Sequence, residues 1–345
     1  MVIETNITRM FGIKHPIFGA AMGPYYTKDI ALNISEAGGL GTIGQHAATK
    51  GKRAVKYMEE CMEYVVEHTT NPFGFNIRTS RREPEATLMA RKIPKFIMEN
   101  PKLREQVVYA LTSAGSARTL PESKSFQKLR ESSNIKHFHV APALWLADKC
   151  LASGVDGLVC TGYEGGGHQS YEKVSELVLL QQVRQKYPDV PVIGCGGYAS
   201  GEGLAFALAM GAGAIAMGSR FICSKESDYP EHYRELIVPA KAGDTIVATG
   251  SYGPIRLWKN KYSLHHGLVA TKEEKMSLEK NLTMENLLEE VKAYISIYDG
   301  EIENAAYLLG QSAGLINKIE SIKDIIETIV KDGEECLKNA YATIK

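Results

Sequence analysis

One pattern recurs three times and restricts the fold of this chain more than any other. A short apolar run leads into a helical stretch, a glycine-containing turn and a second short apolar run. The first copy runs from Pro16-Ile17-Phe18-Gly19 to Ala37-Gly38-Gly39 and into Leu40-Gly41-Thr42-Ile43-Gly44. The second runs from His139-Val140 through Leu144 to Ser153-Gly154 and then Leu158-Val159-Cys160-Thr161-Gly162. The third begins at Pro191-Val192-Ile193-Gly194, passes Ala209-Met210-Gly211 and ends on Ala214-Ile215-Ala216-Met217-Gly218. Each copy reads as strand, helix, turn and strand, with Gly38, Gly154 and Gly211 at the left-handed position that ends a helix.

Two further runs, Phe73-Gly74-Phe75-Asn76 and Val107-Val108-Tyr109-Ala110-Leu111, fill the gaps. The expectation is therefore eight strands, near 16–19, 40–43, 73–76, 107–112, 137–140, 157–161, 190–194 and 214–217. Alternating strands and helices imply an α/β fold with a parallel sheet. Eight units over residues 1–219 fit a closed TIM (β/α)8 barrel. The rival is an open doubly wound sheet, disfavoured because the repeats continue without a halfway break.

Beyond Met217 the character changes. Residues 220–310 are more charged and helical in pattern, which predicts a helical lid or small second domain. Residues 311–345 are expected to form C-terminal helices that pack back on the barrel. Ile316, Ile319, Ile322, Ile325, Ile326, Ile329 and Val330 recur there at spacings of three and four.

Lys+Arg and Asp+Glu both number 40, so the electrostatic footprint of a nucleic-acid or anionic-membrane binder is missing. The six cysteines include no CxxC pair, which suggests neither a zinc ribbon nor a disulfide framework, and no metal site is expected. The N-terminus has no apolar core of a signal peptide. No run of roughly 18 apolar residues could span a bilayer. The expected compartment is the cytoplasm.

In such a barrel the chemistry sits at the C-terminal ends of the strands, and phosphate is commonly held after the seventh and eighth. Here those loops are Gly194-Cys195-Gly196-Gly197 and Met217-Gly218-Ser219-Arg220. Both offer backbone N–H groups without side-chain cover, and Ser219 adds a hydroxyl. A phosphorylated cofactor or substrate follows, held by the main chain rather than by a basic patch.

After strand six the chain reads Thr161-Gly162-Tyr163-Glu164-Gly165-Gly166-Gly167-His168. Three consecutive glycines mean that something approaches the backbone there. His168 follows them, and an imidazole titrates near neutral pH, which suits an acid, base or hydrogen-bond donor. Glu164 could orient it or be a surface charge. Asn76 ends a strand and can both donate to and accept from a heterocycle edge. Lys149 could reach a phosphate or ring oxygen, while Cys160 and Cys195 read as buried, inert thiols.

Seven segments lie in one order along the chain. They are Pro16–Met22, Glu36–Gly41, Pro72–Asn76, Glu164–His168, Pro191–Gly197, Met217–Phe221 and Gly310–Gly314. Together they resemble the nitronate monooxygenase (2-nitropropane dioxygenase) family, which includes FMN-dependent enoyl-acyl-carrier-protein reductases. The resemblance covers about residues 10–320 and implies FMN at the mouth of a TIM barrel. It places Met22 and Asn76 against the isoalloxazine, with Lys149 and Thr161 beside it, and counts Ala21, Gly23 and Gly167 among the cofactor-binding residues. Gly166, Gly196, Gly197, Gly218 and Ser219 would hold the phosphate and ribityl chain, and His168 matches the family's active-site histidine. Thr161 stands where the family often has Gln. Pro24-Tyr25-Tyr26 replaces a smaller loop, so Tyr25 and Tyr26 are expected to shape the substrate pocket.

The resemblance implies an oxidoreductase that oxidises alkyl nitronates with O2. The alternative is an NAD(P)H-dependent reductase of enoyl thioesters on acyl-carrier protein or CoA. A non-catalytic flavin-binding subunit is the third reading. Partners are a small-molecule or acyl-thioester substrate, with a homodimer left open and neither nucleic acid nor membrane involved.

Overall fold

Eight parallel strands follow one another round a barrel in the computed structural model, which describes residues 3–46, 53–83, 85–250, 253–265 and 271–344. In chain order they are β1 (Ile17–Gly19), β2 (Gly41–Ile43), β3 (Phe73–Arg78), β4 (Val107–Ser113), β5 (Lys136–Ala141) and β6 (Gly157–Thr161). The two-residue strand β7 (Gly167–His168) comes next, followed by β8 (Val192–Cys195) and β9 (Ala214–Met217). The barrel order is β1, β9, β8, β6, β5, β4, β3, β2. A parallel bridge between Phe18 and Leu40 joins the two ends. All eight expected barrel strands are present, and the TIM barrel is the fold.

Apolar side chains from these short strands fill the barrel. Phe18, Leu40, Tyr109, Phe138, Val159, Ile193 and Ala216 form one buried cluster inside it. The helix Asn6–Phe11 packs Phe11 into this cluster, edge-on to Phe18 at 5.6 Å and to Tyr109 at 5.4 Å. The interior is thus a packed core rather than a pore. Gly38, Gly154 and Gly211 all have φ between 76° and 85°, the left-handed geometry expected of them at helix ends.

Segment 220–310 is not helical throughout. Its helices Glu231–Ile237, Lys261–Leu264, Lys272–Asn281 and Met284–Ile295 flank an antiparallel hairpin, β10 (Thr245–Gly250) and β11 (Gly253–Trp258). β11 pairs in turn with β7, placing Ile255 opposite His168 and Arg256 opposite Gly167. The period-two alternation Thr245-Ile246-Val247 and Ile255-Arg256-Leu257, on either side of Gly250-Ser251-Tyr252-Gly253, carried this hairpin in the sequence.

The C-terminal region has one long helix, Ile322–Ala342, after a 3-10 turn at Gln311–Leu315. The apolar spacing had suggested an earlier start. Ser321 begins the helix instead, its Oγ accepting the Asp324 N–H at 3.1 Å. Ile322, Ile325, Ile326, Ile329 and Val330 are buried on its inner face. Among the described residues no helix is long and apolar enough to cross a membrane.

Candidate active site at the mouth of the barrel

The loops that leave the C-terminal ends of β1, β3, β4, β5, β6, β8 and β9 surround one cavity of about 1090 Å³. Every residue singled out above as catalytic or cofactor-binding lines it. Ala21, Met22 and Gly23 come from the loop after β1, Asn76 from β3 and Lys149 from the helix after β5. Thr161, Gly166, Gly167 and His168 come from β6 and its loop, Gly196 and Gly197 from after β8, and Gly218 and Ser219 from after β9. Strands far apart in sequence converge because the barrel brings all their C-terminal ends to one face.

Two features of this mouth suit a phosphorylated, ring-bearing cofactor. Gly167, Gly196 and Gly197 have φ of 81°, 92° and 88°, where a side chain would be strained. The N–H groups of Gly197 and Gly218 make no hydrogen bond to any described residue. A Cβ placed on Gly167 would meet nothing within 4 Å, and on Gly218 only side-chain atoms at 3.7–3.8 Å. Main chain is therefore presented to the cavity uncovered. Deeper in, Thr161 Oγ1 is buried beside the Cys195 thiol. The Asn76 amide is fixed by donating to Leu111 O at 3.2 Å and Ser113 Oγ at 3.1 Å.

Other residues frame these loops. Gly166 lies against the backbone of Leu309 and Gly310, so close that a Cβ there would sit 2.7 Å from Gly310 N. Gly310 N–H donates to Ser219 Oγ at 3.1 Å, and Gln311 N–H donates to Glu164 O at 2.8 Å. The Gly310–Gly314 segment is thus a clamp over two of the glycine loops. The buried Arg256 side chain donates to Tyr163 O at 3.0 and 2.8 Å and to Thr245 Oγ1 at 3.0 Å. Together with the ladder to Gly167, it holds the loop that carries His168. No local motif in the sequence marks this role of the hairpin.

Two expectations, for Tyr26 and Glu164, need correction, while Tyr25 keeps its place in the cavity wall. Tyr26 does not line the cavity: its ring stacks on His46 at 4.1 Å and packs against Tyr57 and Tyr298. Successive residues point apart, and an aromatic pocket outside the mouth took this one. Tyr25 reaches the cavity wall, but it is only 1% exposed and its hydroxyl is engaged by Ala306 O. Glu164 does not orient His168. Its carboxylate accepts the Glu176 N–H at 3.0 Å, capping the helix Glu176–Lys186. Cys195 lines the cavity with its thiol pushed up to about 12 by burial, so it stays uncharged at neutral pH. Lys149 stands exposed at the rim, with Nζ 4.8 Å from the Trp145 ring.

The charge of the mouth is also unlike the chain's balance. Its lining includes Arg78, Arg81, Arg82, Arg118, Lys149 and Lys280 and, among the described residues, no Asp or Glu. A sum over the whole sequence conceals this local excess.

A closed parallel barrel with its chemistry-bearing residues gathered at the C-terminal mouth defines a (β/α)8-barrel enzyme. The nitronate monooxygenase family model matches residues 4–332, and the chain belongs to that family. It is 31% identical to FabK from Thermotoga maritima, covering 99% of this chain and 100% of that one with a TM-score of 0.80. It is 27% identical to the (3aS,4S,5R,7aS)-5-hydroxy-7a-methyl-1-oxo-octahydro-1H-indene-4-carboxyl-CoA dehydrogenase of Mycobacterium tuberculosis, covering 100% of both chains. A probable nitronate monooxygenase of Staphylococcus aureus is 26% identical over 73% of this chain and 77% of its own length. The family is one of flavin enzymes, and this chain is an oxidoreductase of that kind.

Proposed function

We propose that this enzyme binds FMN and uses NAD(P)H to reduce the double bond of an unsaturated acyl thioester. The observation that carries this reading is the size of the mouth. A cavity of about 1090 Å³ is at the top of the range for small-molecule sites, roughly 300–1,000 Å³. It leaves space beyond a flavin for an extended arm, which an alkyl nitronate of a few heavy atoms would not fill. The similarity to FabK and to a CoA-ester dehydrogenase over nearly the whole chain supports the same reading.

When bound, the flavin supplies the electron transfer between nicotinamide and substrate. The chain's residues bind and orient. Gly166, Gly167, Gly196, Gly197, Gly218 and Ser219 offer backbone and hydroxyl groups to the phosphate and ribityl chain. Asn76, Ala21, Met22, Gly23 and Thr161 form the wall for the ring, with Lys149 at its rim. His168 donates a hydrogen bond to the thioester carbonyl, drawing electron density from the β-carbon. NAD(P)H contributes two electrons and one proton, and solvent contributes the second proton.

The second reading is O2-dependent oxidation of alkyl nitronates, favoured by the family model across residues 4–332. One comparison separates the two. FMN-loaded protein is assayed without oxygen for NAD(P)H oxidation driven by a crotonyl thioester, and with oxygen for loss of propionate-3-nitronate. Thioester-driven turnover is expected, and His168→Ala should lower its kcat about 100-fold with flavin still bound. Nitronate turnover with no thioester activity would replace the first reading by the second.

A further inference from the structure

The cation-lined mouth has a built portion on the loops after β3 and β4. Arg81, Arg82 and Arg118 all line the cavity and make no ion pair with any described residue. Arg78, by contrast, is neutralised by Glu83 at 2.9 Å. The two loops use the same local device. Ser80 Oγ accepts the Arg82 N–H at 3.2 Å, and Ser116 Oγ accepts the Arg118 N–H at 3.3 Å. In each loop a serine two residues earlier fixes the backbone of an arginine.

The loops are also joined to one another. Thr79 N–H donates to Ser113 O at 2.9 Å, and Ser116 N–H donates to Thr79 O at 3.3 Å. Gly115 lies so close to Thr79 and Ser80 that a Cβ there would be 2.1 Å from the Thr79 carbonyl. Ala114 beside it has φ of 54°, in the left-handed region that L residues avoid. An alanine is held there while the next residue pushes its backbone against the neighbouring loop. The result is a set of guanidinium groups on one wall, without a carboxylate among the described residues to pair them.

Unpaired arginines gathered at a binding mouth suit phosphate, whose oxygens accept the planar guanidinium fork in a bidentate manner. The flavin phosphate has its own candidate cradle after β8 and β9, across the barrel from β3 and β4 in the strand order. The arginines on the opposite wall therefore suit a second phosphorylated group. We propose that Arg81, Arg82 and Arg118 bind the phosphates of an adenosine-pyrophosphate arm, the chemistry shared by a CoA thioester and NADPH. This rests on the thioester-reductase reading and adds to it the recognition of the substrate's or reductant's nucleotide end. Trp145 and Tyr171 stand on the same mouth with their rings nearly parallel, 6.0 Å apart. They offer a flat apolar surface for the part of the arm between the phosphates and the reacting centre.

The test uses the FMN-loaded enzyme and its Arg81→Ala/Arg82→Ala/Arg118→Ala variant. Flavin absorbance and the melting temperature serve as controls for folding, since Arg81 and Arg118 are exposed and Arg82 is partly so. Titration with free CoA and with NADPH is read directly as binding, apart from turnover. The variant should weaken one of these ligands at least about tenfold, the size expected for losing charge-assisted contacts. Wild-type affinity for that ligand should also fall as salt is raised.

Kinetics then identify the source. If the arm belongs to the substrate, KM rises for crotonyl-CoA and not for crotonyl-N-acetylcysteamine, which has no phosphate. If it belongs to the reductant, KM rises for NADPH. Unchanged affinity of the variant for both CoA and NADPH would overturn the assignment. Wild-type protein that binds CoA through these arginines yet reduces no thioester would sink the reductase reading and leave the arm site standing.

Discussion

Thr112 joins two imidazoles outside the barrel core. Its Oγ1 lies 2.7 Å from His137 Nε2 and 2.6 Å from His139 Nδ1, and all three residues are buried. Burial lowers His137 to about 3, with the neighbouring His139 adding to the effect, and lowers His139 to about 4. Both rings are therefore neutral in the folded protein at neutral pH. In the unfolded chain they titrate near the ordinary imidazole value of about 6.5. Below that value the unfolded state binds more protons, so their contribution is fully present above pH 6.5 and is lost as pH falls toward 4. Each ring should remove roughly 1 kcal/mol per pH unit in that window. Urea unfolding of the wild type and of His137→Gln/His139→Gln, followed from pH 7.5 to 4.5, checks this. A wild-type slope no steeper than the variant's would show that the rings reach water when folded.

The hairpin that carries Arg256 is an element whose purpose is to hold another. Its guanidinium bonds to Tyr163 O and Thr245 Oγ1 and lies 4.7 Å over the Tyr163 ring. Replacing it by Met keeps the stem and leaves these acceptors without their donor. The expected loss is about 2–3 kcal/mol. Arg256→Lys should recover little, because one ammonium cannot bridge both acceptors in a plane. Equal urea midpoints for wild type and Arg256→Met would mean that the strand ladder alone secures the loop. The eight barrel strands were legible because each is a local apolar run with a glycine turn beside it. β7 was not legible, since two residues carry no period, and their pairing depends on a hairpin more than 80 residues later. Tyr26 was misplaced for a related reason. Sequence adjacency to Tyr25 says nothing about which aromatic pocket a ring will enter.

Across the whole molecule, the C-terminal helix fastens the last part of the barrel to the first. It packs on the helices Gly201–Ala209 and Lys28–Glu36, and its amphipathic spacing announced a buried face without naming the partner. The partner contact depends on two glycines. A Cβ on Gly201 would lie 2.5 Å from Gly333 N and from Asp332 Cβ, and one on Gly333 would lie 3.1 Å from Gly201 O. Gly201 opens the helix that follows the Gly196-Gly197 loop, so a displacement here reaches the candidate phosphate cradle through only three residues. Gly201→Ala must move backbone against backbone, and overpacking of this kind costs about 1–3 kcal/mol. It should lower the melting temperature and also weaken FMN, measured by recovery of flavin fluorescence on dilution. Gly333→Ala, with a looser contact, should do less of both. If Gly201→Ala lowers stability and leaves FMN affinity unchanged, the loop after β8 is held independently of the C-terminal helix, and the last helix serves stability alone.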